Sequence, residues 1–172
     1  RLTVSYVRIG GLAQDVPDTF EALCRKAMAA VREVVDQGDA LLTKNIVFQK
    51  RFRDVGFMSK EDALSWGWVG PCLRGSGVAY DVRKDHPYCG YENYDFEVCV
   101  GKGQYGPVGS CFDRNWVRVV EMRESSKILH QALDRLEKME RTDVHEKVPK
   151  RVKPPKGEVY CRSEAPRGQR GY

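Results

Sequence analysis

The 172-residue sequence has few histidines and no paired cysteine motif, and both absences limit the metal sites that it can build. It holds three histidines, and no two of its cysteines form a C-x-x-C pair. Structural zinc and iron–sulfur sites usually need such spacing. We therefore predict no metal site built by this chain alone, and we interpret the cysteines as buried, unpaired thiols in a reducing compartment. These cysteines are Cys24, Cys72, Cys89, Cys99, Cys111 and Cys161.

The chain also lacks a long hydrophobic run. Hydrophobic residues make up 41% and charged residues 31% of the sequence, which is typical of a globular protein. No stretch approaches the roughly 20 apolar residues that span a bilayer, and no signal peptide is evident. Because the sequence starts at Arg1 and ends at Tyr172 within a strand-like region, we expect it to be one domain cut from a longer protein.

Most of the net positive charge lies in the C-terminal fifth of the chain. The net charge is +5, and residues 139–172 hold nine Lys or Arg against five Asp or Glu, which leaves +1 for residues 1–138. The basic residues accompany prolines in Arg141–Lys156. No aromatic platform or recognition helix accompanies them, so we interpret this segment as a solvated linker and expect no nucleic-acid partner.

The most regular stretch, Ser110–Met139, predicts one long central helix. Ser110 and Asp113 form an S-x-x-D capping pattern at its start. Its first half is apolar in almost every direction, so the charges embedded there need partners, and Arg118 and Glu121 are close enough to pair. Its second half is one-sided. The predicted buried stripe there is Met122, Leu129, Ala132, Leu133 and Leu136.

The segments before this helix predict a strand and three helices. Leu2–Ile9 alternates like a strand. We expect Asp15 or Asp18 to cap a first helix that ends at Gly38. Its predicted buried stripe is Phe20, Leu23, Cys24, Ala27, Ala30, Val31, Val34 and Val35. Asp39–Asp54 continues helically, with Leu41, Leu42, Ile46 and Val47 expected to point inward. Ser59 begins a short helix that ends near Trp66.

Gly70–Phe96 combines glycines, charges and tyrosines, and predicts a long ordered loop held by ion pairs and tyrosine hydrogen bonds. We interpret its charges and two on the long helix as structural or interface ion pairs, with the loop as one docking surface. These residues are Arg74, Asp81, Arg83, Arg118 and Glu121. No serine, cysteine or histidine pair has the spacing of a nucleophile and its base, so we assign no catalytic residue.

The remaining residues complete the predicted organisation. Gly157–Tyr172 indicates a β-hairpin that begins with Val159–Ser163 and turns at Ala165–Gly168. We divide the chain into a helical core (1–138), a basic proline-rich linker (139–156) and an incomplete hairpin region (157–172). The predicted fold class is α+β and mainly helical.

Six segments resemble one family in their order and spacing. They are Arg8–Pro17 (RIGGLAQDVP), Val55–Ala63 (VGFMSKEDA), Gly70–Lys84 (GPCLRGSGVAYDVRK), Pro87-Tyr88, Val117–Ser125 (VRVVEMRES) and Glu164–Gly168 (EAPRG). The chain resembles, over essentially its whole length, the quinone-site 49-kDa subunit (the D subunit) of NADH:quinone oxidoreductase, respiratory complex I. That family is related to the large subunit of nickel–iron hydrogenases. The resemblance implies a similar fold, with flanking helices and small antiparallel sheets around a long central helix.

The resemblance also implies a function. The chain would be the central portion of a subunit in the peripheral arm, and it would form the scaffold of the quinone cavity beside an iron–sulfur cluster in a neighbouring subunit. Electrons would pass to quinone, and the whole NAD-linked respiratory-chain translocase would couple this to proton translocation. The implied partners are the iron–sulfur subunit, other complex I subunits and quinone. The implied location is peripheral, on the inner or cytoplasmic membrane and facing the cytoplasm or mitochondrial matrix.

In the family, the groups that hold quinone directly come from outside residues 1–172, so this chain would bind no cofactor by itself. The Arg8–Asp15 turn lies toward the cluster in the family. This makes four of its residues candidates for the quinone or cluster side. They are Arg8, Gly11, Gln14 and Asp15.

The sequence departs from the family pattern at several positions. Ala13 stands where many members have a histidine linked to proton coupling, so such coupling is not assigned here. The Gly101–Ser110 loop is longer than usual. Gln169 replaces a common acidic residue, and Arg170 replaces an apolar one.

Two other functions fit parts of the sequence. A fragment of a membrane-bound nickel–iron hydrogenase large subunit would need two thiolate pairs near the two ends of the full chain; none lies in this sequence, and segments outside it could carry them. A non-enzymatic adaptor would bind nucleic acid through Arg141–Lys156, with an affinity that depends on salt.

Overall fold

The computed structural model describes residues 6–140, 142–149, 151 and 153–172. Within these residues the chain is α+β and mainly helical, which confirms the predicted fold class. The helices are α1 (Phe20–Gly38), α2 (Ile46–Phe52), α3 (Lys60–Ser65), α4 (Gly70–Gly75), α5 (Val82–Asp85) and α6 (Cys111–Lys138). Strands β1 (Val7–Arg8) and β2 (Gly11–Leu12) form one antiparallel sheet, and β3 (Arg162–Ala165) and β4 (Gly168–Gly171) form another.

Helix α6 confirms the predicted long helix. The Ser110 hydroxyl accepts a hydrogen bond from the Asp113 backbone N–H at 3.3 Å, as the capping pattern predicts. Phe112 and Val117 in its first half are fully buried.

The buried face in the second half of α6 is only partly the predicted one. Leu133 is buried as predicted, and Ile128 is buried as well, although it was not part of the predicted stripe. Leu129 is about half exposed, and Met122 and Leu136 are also exposed. The predicted stripe is therefore wrong at these three positions.

Helix α1 departs from its predicted ends and buried face. Its N-cap is Thr19, which makes no side-chain cap hydrogen bond, so the predicted aspartate cap is wrong. The Pro17 carbonyl instead accepts from the Phe20 N–H at 2.9 Å. Gly38 keeps helical angles and leads into a π-helical turn, Asp39–Thr43, rather than ending the helix. Of the predicted stripe, Val35 is buried, whereas Leu23, Val31 and Val34 are more than half exposed.

The π-helical turn explains why the next inward-facing set is also wrong. Leu41, Leu42, Ile46 and Val47 are 56–70% exposed. A π-helical turn hydrogen-bonds from i to i+5, so it changes the rotational phase of the residues that follow. Thr43 and Gln49 face inward instead, and the Gln49 amide donates to the Thr43 carbonyl at 3.0 Å.

The segment Gly70–Phe96 contains more regular structure than a loop. It includes α4, α5 and a 3₁₀ turn at Tyr91–Asn93. Three of its apolar side chains, Leu73, Val82 and Phe96, are buried. The prediction of a long loop is therefore wrong, because short helices form here and bury apolar residues between the charged ones. Helix α3 begins at its predicted cap, since the Ser59 hydroxyl accepts from the Asp62 N–H.

Both ends of the described chain pack against other segments. The predicted strand Leu2–Ile9 falls partly on residues 1–5, which lie outside the described residues. The Leu12 N–H donates to the Val144 carbonyl at 2.8 Å, and the Glu146 N–H donates to the Gly10 carbonyl at 2.9 Å. This part of the predicted linker is thus paired through its backbone, while His145 and Glu146 remain exposed. The predicted hairpin is present as β3 and β4, with Ala165 opposite Gly168.

Two further expectations concern the cysteines and the membrane. All six cysteines are unpaired, but only Cys99 is buried, so the interpretation as buried thiols is wrong for the others. Cys89 and Cys161 are exposed. A search of the described residues finds no helix with the length and apolar character needed to cross a bilayer.

Candidate functional site

A cleft of about 550 Å³ lies between the first half of α6 and the β3–β4 turn. Helix α6 lines it with Glu121 and with five residues spaced along one helical face, namely Asn115, Arg118, Val119, Met122 and Ser125. Ala165 and Pro166 line the opposite wall. Charged side chains form much of the remaining surface, and they belong to Arg74, Arg83, Glu121 and Glu164. The site therefore combines apolar walls with a charged floor.

Arg74 is the centre of that floor and is 2% exposed. Its Nε donates to a Glu121 carboxylate oxygen. Its Nη1 donates to Glu164 Oε1 at 3.0 Å and to the Tyr80 carbonyl at 2.9 Å. A buried cation needs such partners to offset its desolvation. One guanidinium thus joins α4, α6 and β3, which lie far apart in the sequence.

A second ion pair extends this network into α5. Arg83 donates to both Asp81 carboxylate oxygens, at 2.9 and 2.7 Å, in a bidentate arrangement. Asp81 also accepts from the Arg83 backbone N–H at 2.9 Å, and its other oxygen lies 3.6 Å from Arg74 Nη1. The Arg83 guanidinium lies 5.0 Å from the centre of the Phe96 ring. The network therefore alternates cations and carboxylates.

Two tyrosines attach the hairpin to the same region, as the sequence predicts for this segment. The Tyr88 hydroxyl accepts from the Glu164 backbone N–H at 2.9 Å. The Tyr80 hydroxyl donates to Gln169 Oε1 at 2.6 Å. Gln169, where an acidic residue is common in the resembled family, thus serves as a neutral acceptor.

Burial and charge shift the pKa values of two carboxyl groups in opposite directions. Burial opposes ionisation of Asp81, but the hydrogen bonds and charge of Arg83 outweigh it, so the pKa of Asp81 lies below its usual value. Burial raises the pKa of Glu164; the charge of Arg74 offsets part of this shift, and the nearby Asp81 carboxylate adds to it. The raised pKa of Glu164 and the lowered pKa of Asp81 thus lie within one charge network.

These shifts predict opposite pH dependences of the free energy of unfolding. Asp81 has a lowered folded pKa, so its stabilisation is complete above the ordinary value of 3.8 and is lost as the pH falls through the folded pKa. Glu164 has a raised folded pKa. The stabilisation that this raised pKa contributes to the free energy of unfolding is complete below the ordinary value of 4.5. It is lost as the pH rises through the folded pKa.

We expect Asp81→Asn to lower the free energy of unfolding at neutral pH and to reduce its fall in acid. We expect Glu164→Gln, which keeps an oxygen for Arg74, to reduce the decrease in the free energy of unfolding as the pH rises. Urea unfolding at a series of pH values measures both, with exposed Glu158→Gln as the control. A Glu164→Gln curve parallel to that of the unmodified chain would contradict this prediction.

The structure brings four of the predicted charged residues together and leaves the fifth apart. Arg74, Asp81, Arg83 and Glu121 belong to one network. The predicted pair between Arg118 and Glu121 is wrong, because Glu121 binds Arg74 while Arg118 donates to the Arg114 carbonyl at 2.8 Å. Arg74 is buried within the chain, and the docking role expected of the Gly70–Phe96 segment stays a prediction.

The four candidates in the N-terminal turn lie on another surface. Arg8, Gln14 and Asp15 are exposed. Gly11 is half-buried against the backbone of Val144 and His145, and a Cβ added to it would overlap the Val144 carbonyl oxygen. The turn therefore packs against the segment around residue 145, and its role toward a cluster or quinone stays a prediction.

Sequence reasoning missed Glu164, whose side chain is 5% exposed and completes the shell around Arg74. It lies 90 residues from Arg74 in the sequence. No local periodicity links positions so far apart. The available signal was its place in the EAPRG segment that contributes to the family resemblance.

Comparison with known proteins matches the whole chain to one family. The family model described as the respiratory-chain NADH dehydrogenase 49 Kd subunit matches residues 1–172. The NADH-quinone oxidoreductase D subunit of Chlorobaculum tepidum is 42% identical over 172 residues, 100% of this chain and 43% of the relative. A second such D subunit, from Sorangium cellulosum, is 43% identical over 171 residues, 99% of this chain and 44% of the relative. The chain thus spans less than half the length of these curated relatives.

Proposed function

The chain belongs to the 49-kDa subunit family of respiratory-chain NADH dehydrogenase, and from this premise we propose that it works in the peripheral arm of an NADH:quinone oxidoreductase. In this role it forms scaffold of the quinone cavity, next to the iron–sulfur cluster of a neighbouring subunit. Electrons pass from that cluster to quinone, and the whole complex couples the transfer to proton translocation. The observation that carries the proposal is the family match over residues 1–172.

The buried charge network supports a scaffolding role. A cavity wall must hold its elements in fixed positions, because small displacements of a site are costly to its function. Arg74 joins α4 to α6 through Glu121 and to β3 through Glu164. Breaking such a buried pair is strongly unfavourable, so the cleft keeps its shape.

We assign the exposed face of the N-terminal turn to the side of the cluster or quinone. Arg8, Gln14 and Asp15 are exposed there, while Gly11 allows the segment around residue 145 to pack closely behind the turn. This assignment gives the chain no resident cofactor of its own. The partners are the iron–sulfur subunit, other subunits of the complex and quinone, and the location is peripheral on the energy-coupling membrane, on its cytoplasmic or matrix side.

Purification of the intact complex through a tag on the full-length subunit tests the proposal. We expect the other NADH:quinone oxidoreductase subunits to co-purify, and NADH-dependent quinone reduction to be lost from membranes when the gene is deleted. Retention of that activity after deletion would contradict the proposal. Stoichiometric nickel in the purified protein would instead favour a hydrogenase.

No observation specifically favours either alternative function. The relatives from Chlorobaculum tepidum and Sorangium cellulosum are named as NADH-quinone oxidoreductase subunits rather than hydrogenases. Part of the segment suggested for nucleic-acid binding is paired with the Gly10–Leu12 backbone.

A further inference from the structure

Arg118 is held in place at the cleft without a carboxylate partner among the described residues. Its Nη1 donates to the Arg114 carbonyl at 2.8 Å, and its Nη2 lies 3.5 Å from Cys72 Sγ. These two contacts orient the guanidinium but do not neutralise it. The side chain is exposed and lines the cleft, so its remaining N–H donors can reach an incoming group.

The other charges around the cleft already have partners. Arg74 binds Glu121 and Glu164, and Arg83 binds Asp81. Both glutamates on the floor bind Arg74, whose single positive charge reduces but does not cancel their repulsion of an incoming anion. This leaves Arg118 as the cleft-lining arginine with an open position for a carboxylate.

The shape of the cleft fits an extended peptide. The α6 face from Asn115 to Ser125 extends over ten residue steps, about 15 Å along the helix axis. At about 3.3 Å per residue, an extended segment of four or five residues has this length. Val119 and Met122 provide apolar contacts along the face, and Pro166 provides them on the opposite wall.

Two polar side chains along this face have hydrogen-bonding groups without a partner in the described residues. Within the part of the chain that the structure describes, the Asn115 amide and the Ser125 hydroxyl make no hydrogen bond. They lie on the same helical face as Arg118, one toward each end of the cleft. Such groups can bind the backbone of an extended segment, while a charge-assisted pair fixes its register.

We propose that this cleft is the docking groove for an extended segment of a neighbouring subunit, in which an aspartate or glutamate binds Arg118. The inference rests on the proposed function, since it requires the chain to lie in a multi-subunit complex. It gives Arg118 an intermolecular carboxylate partner, since no carboxylate among the described residues pairs with it.

A zero-length cross-link tests the proposal in the intact complex. The full-length subunit carries Arg118→Lys, and a water-soluble carbodiimide activates carboxylates in the purified complex. The introduced amine attacks an activated carboxylate in contact with it, an amide bond forms, and the carbodiimide leaves as a urea. Peptide mass spectrometry identifies the residue joined to position 118. The matched control is Arg32→Lys, at an exposed arginine on α1.

We expect a cross-link from position 118 to an aspartate or glutamate of another subunit, with a yield about tenfold above that at position 32. A cross-link confined to Glu121, Glu164 or another part of the same subunit would overturn the proposal. Absence of a cross-link would do so as well. If millimolar acetate is joined to the amine at position 118 and no peptide is, the cleft binds a small carboxylate instead, which would also overturn the proposal.

The subunit composition and NADH-dependent quinone reduction of the same preparation are measured before cross-linking. A preparation that lacks the other subunits contradicts the proposed function. A complete and active complex without the intermolecular cross-link contradicts only the docking inference.

Discussion

Replacing Arg74 with methionine is expected to lower the free energy of unfolding by about 3–5 kcal/mol, because the change leaves buried carboxylates without their shared cation. Glu164 and Glu121 both bind this guanidinium, and Asp81 lies 3.6 Å from it. Methionine preserves much of the volume, so the loss of charge pairing dominates over the creation of a cavity.

Urea unfolding of the chain, followed by tryptophan fluorescence, measures the change, and the amount of variant subunit recovered in the complex gives a second readout. The control is Arg53→Met. Arg53 pairs with Asp54, but both side chains are more than half exposed, and such surface pairs contribute little. Equal unfolding midpoints for the two variants would contradict the central role of Arg74.

Addition of Glu121→Gln and Glu164→Gln to Arg74→Met is expected to recover part of the lost free energy of unfolding, because fewer unpaired charges remain buried.

Gly70→Ala is expected to lower the free energy of unfolding by about 2–5 kcal/mol, through the combined cost of a left-handed backbone and an overpacked contact. Gly70 has φ +62°, and a Cβ added to it would overlap the Cα of Gly168 in the β3–β4 turn. The side chain would therefore separate α4 from the hairpin and disturb the contact between Arg74 and Glu164.

Gly67→Ala provides a closely matched control for this substitution. Gly67 has a similar φ of +65°, but a Cβ added there meets nothing within 4 Å. It should therefore incur only the conformational cost, about 1–2 kcal/mol. Hydrogen exchange of the β3–β4 amides should increase in Gly70→Ala and not in Gly67→Ala. Similar exchange in both variants would show that close approach to the hairpin is unimportant.

The parts of the fold that sequence predicts well are governed by local rules. Ser110 and Ser59 cap helices where their hydroxyls reach an N–H three residues later, and this contact depends on neighbouring residues only. The buried faces of α1 and of the segment after it were harder to predict. The π-helical turn Asp39–Thr43 changes the helical phase, and no local pattern in the sequence indicated it.

The charged floor of the cleft was predictable in kind but not in its pairing. Charges among apolar residues need partners, which is why Arg74 and Glu121 could be selected from the sequence. Which acid meets which base depends on tertiary contacts. The nearby Arg118 was the obvious partner for Glu121, yet Arg74, 47 residues away, occupies that position. The role of the N-terminal turn came from resemblance alone.

The distance between Arg74 and Glu164 along the chain also affects folding during synthesis. Glu164 is made 90 residues after Arg74, an interval of roughly 4–20 seconds at typical elongation rates of about 5–20 residues per second. Throughout this interval the nascent chain carries a guanidinium whose final partner has not left the ribosome. The native arrangement around α4 can be completed only after the hairpin emerges, so the growing polypeptide depends on residues that are translated long after α4.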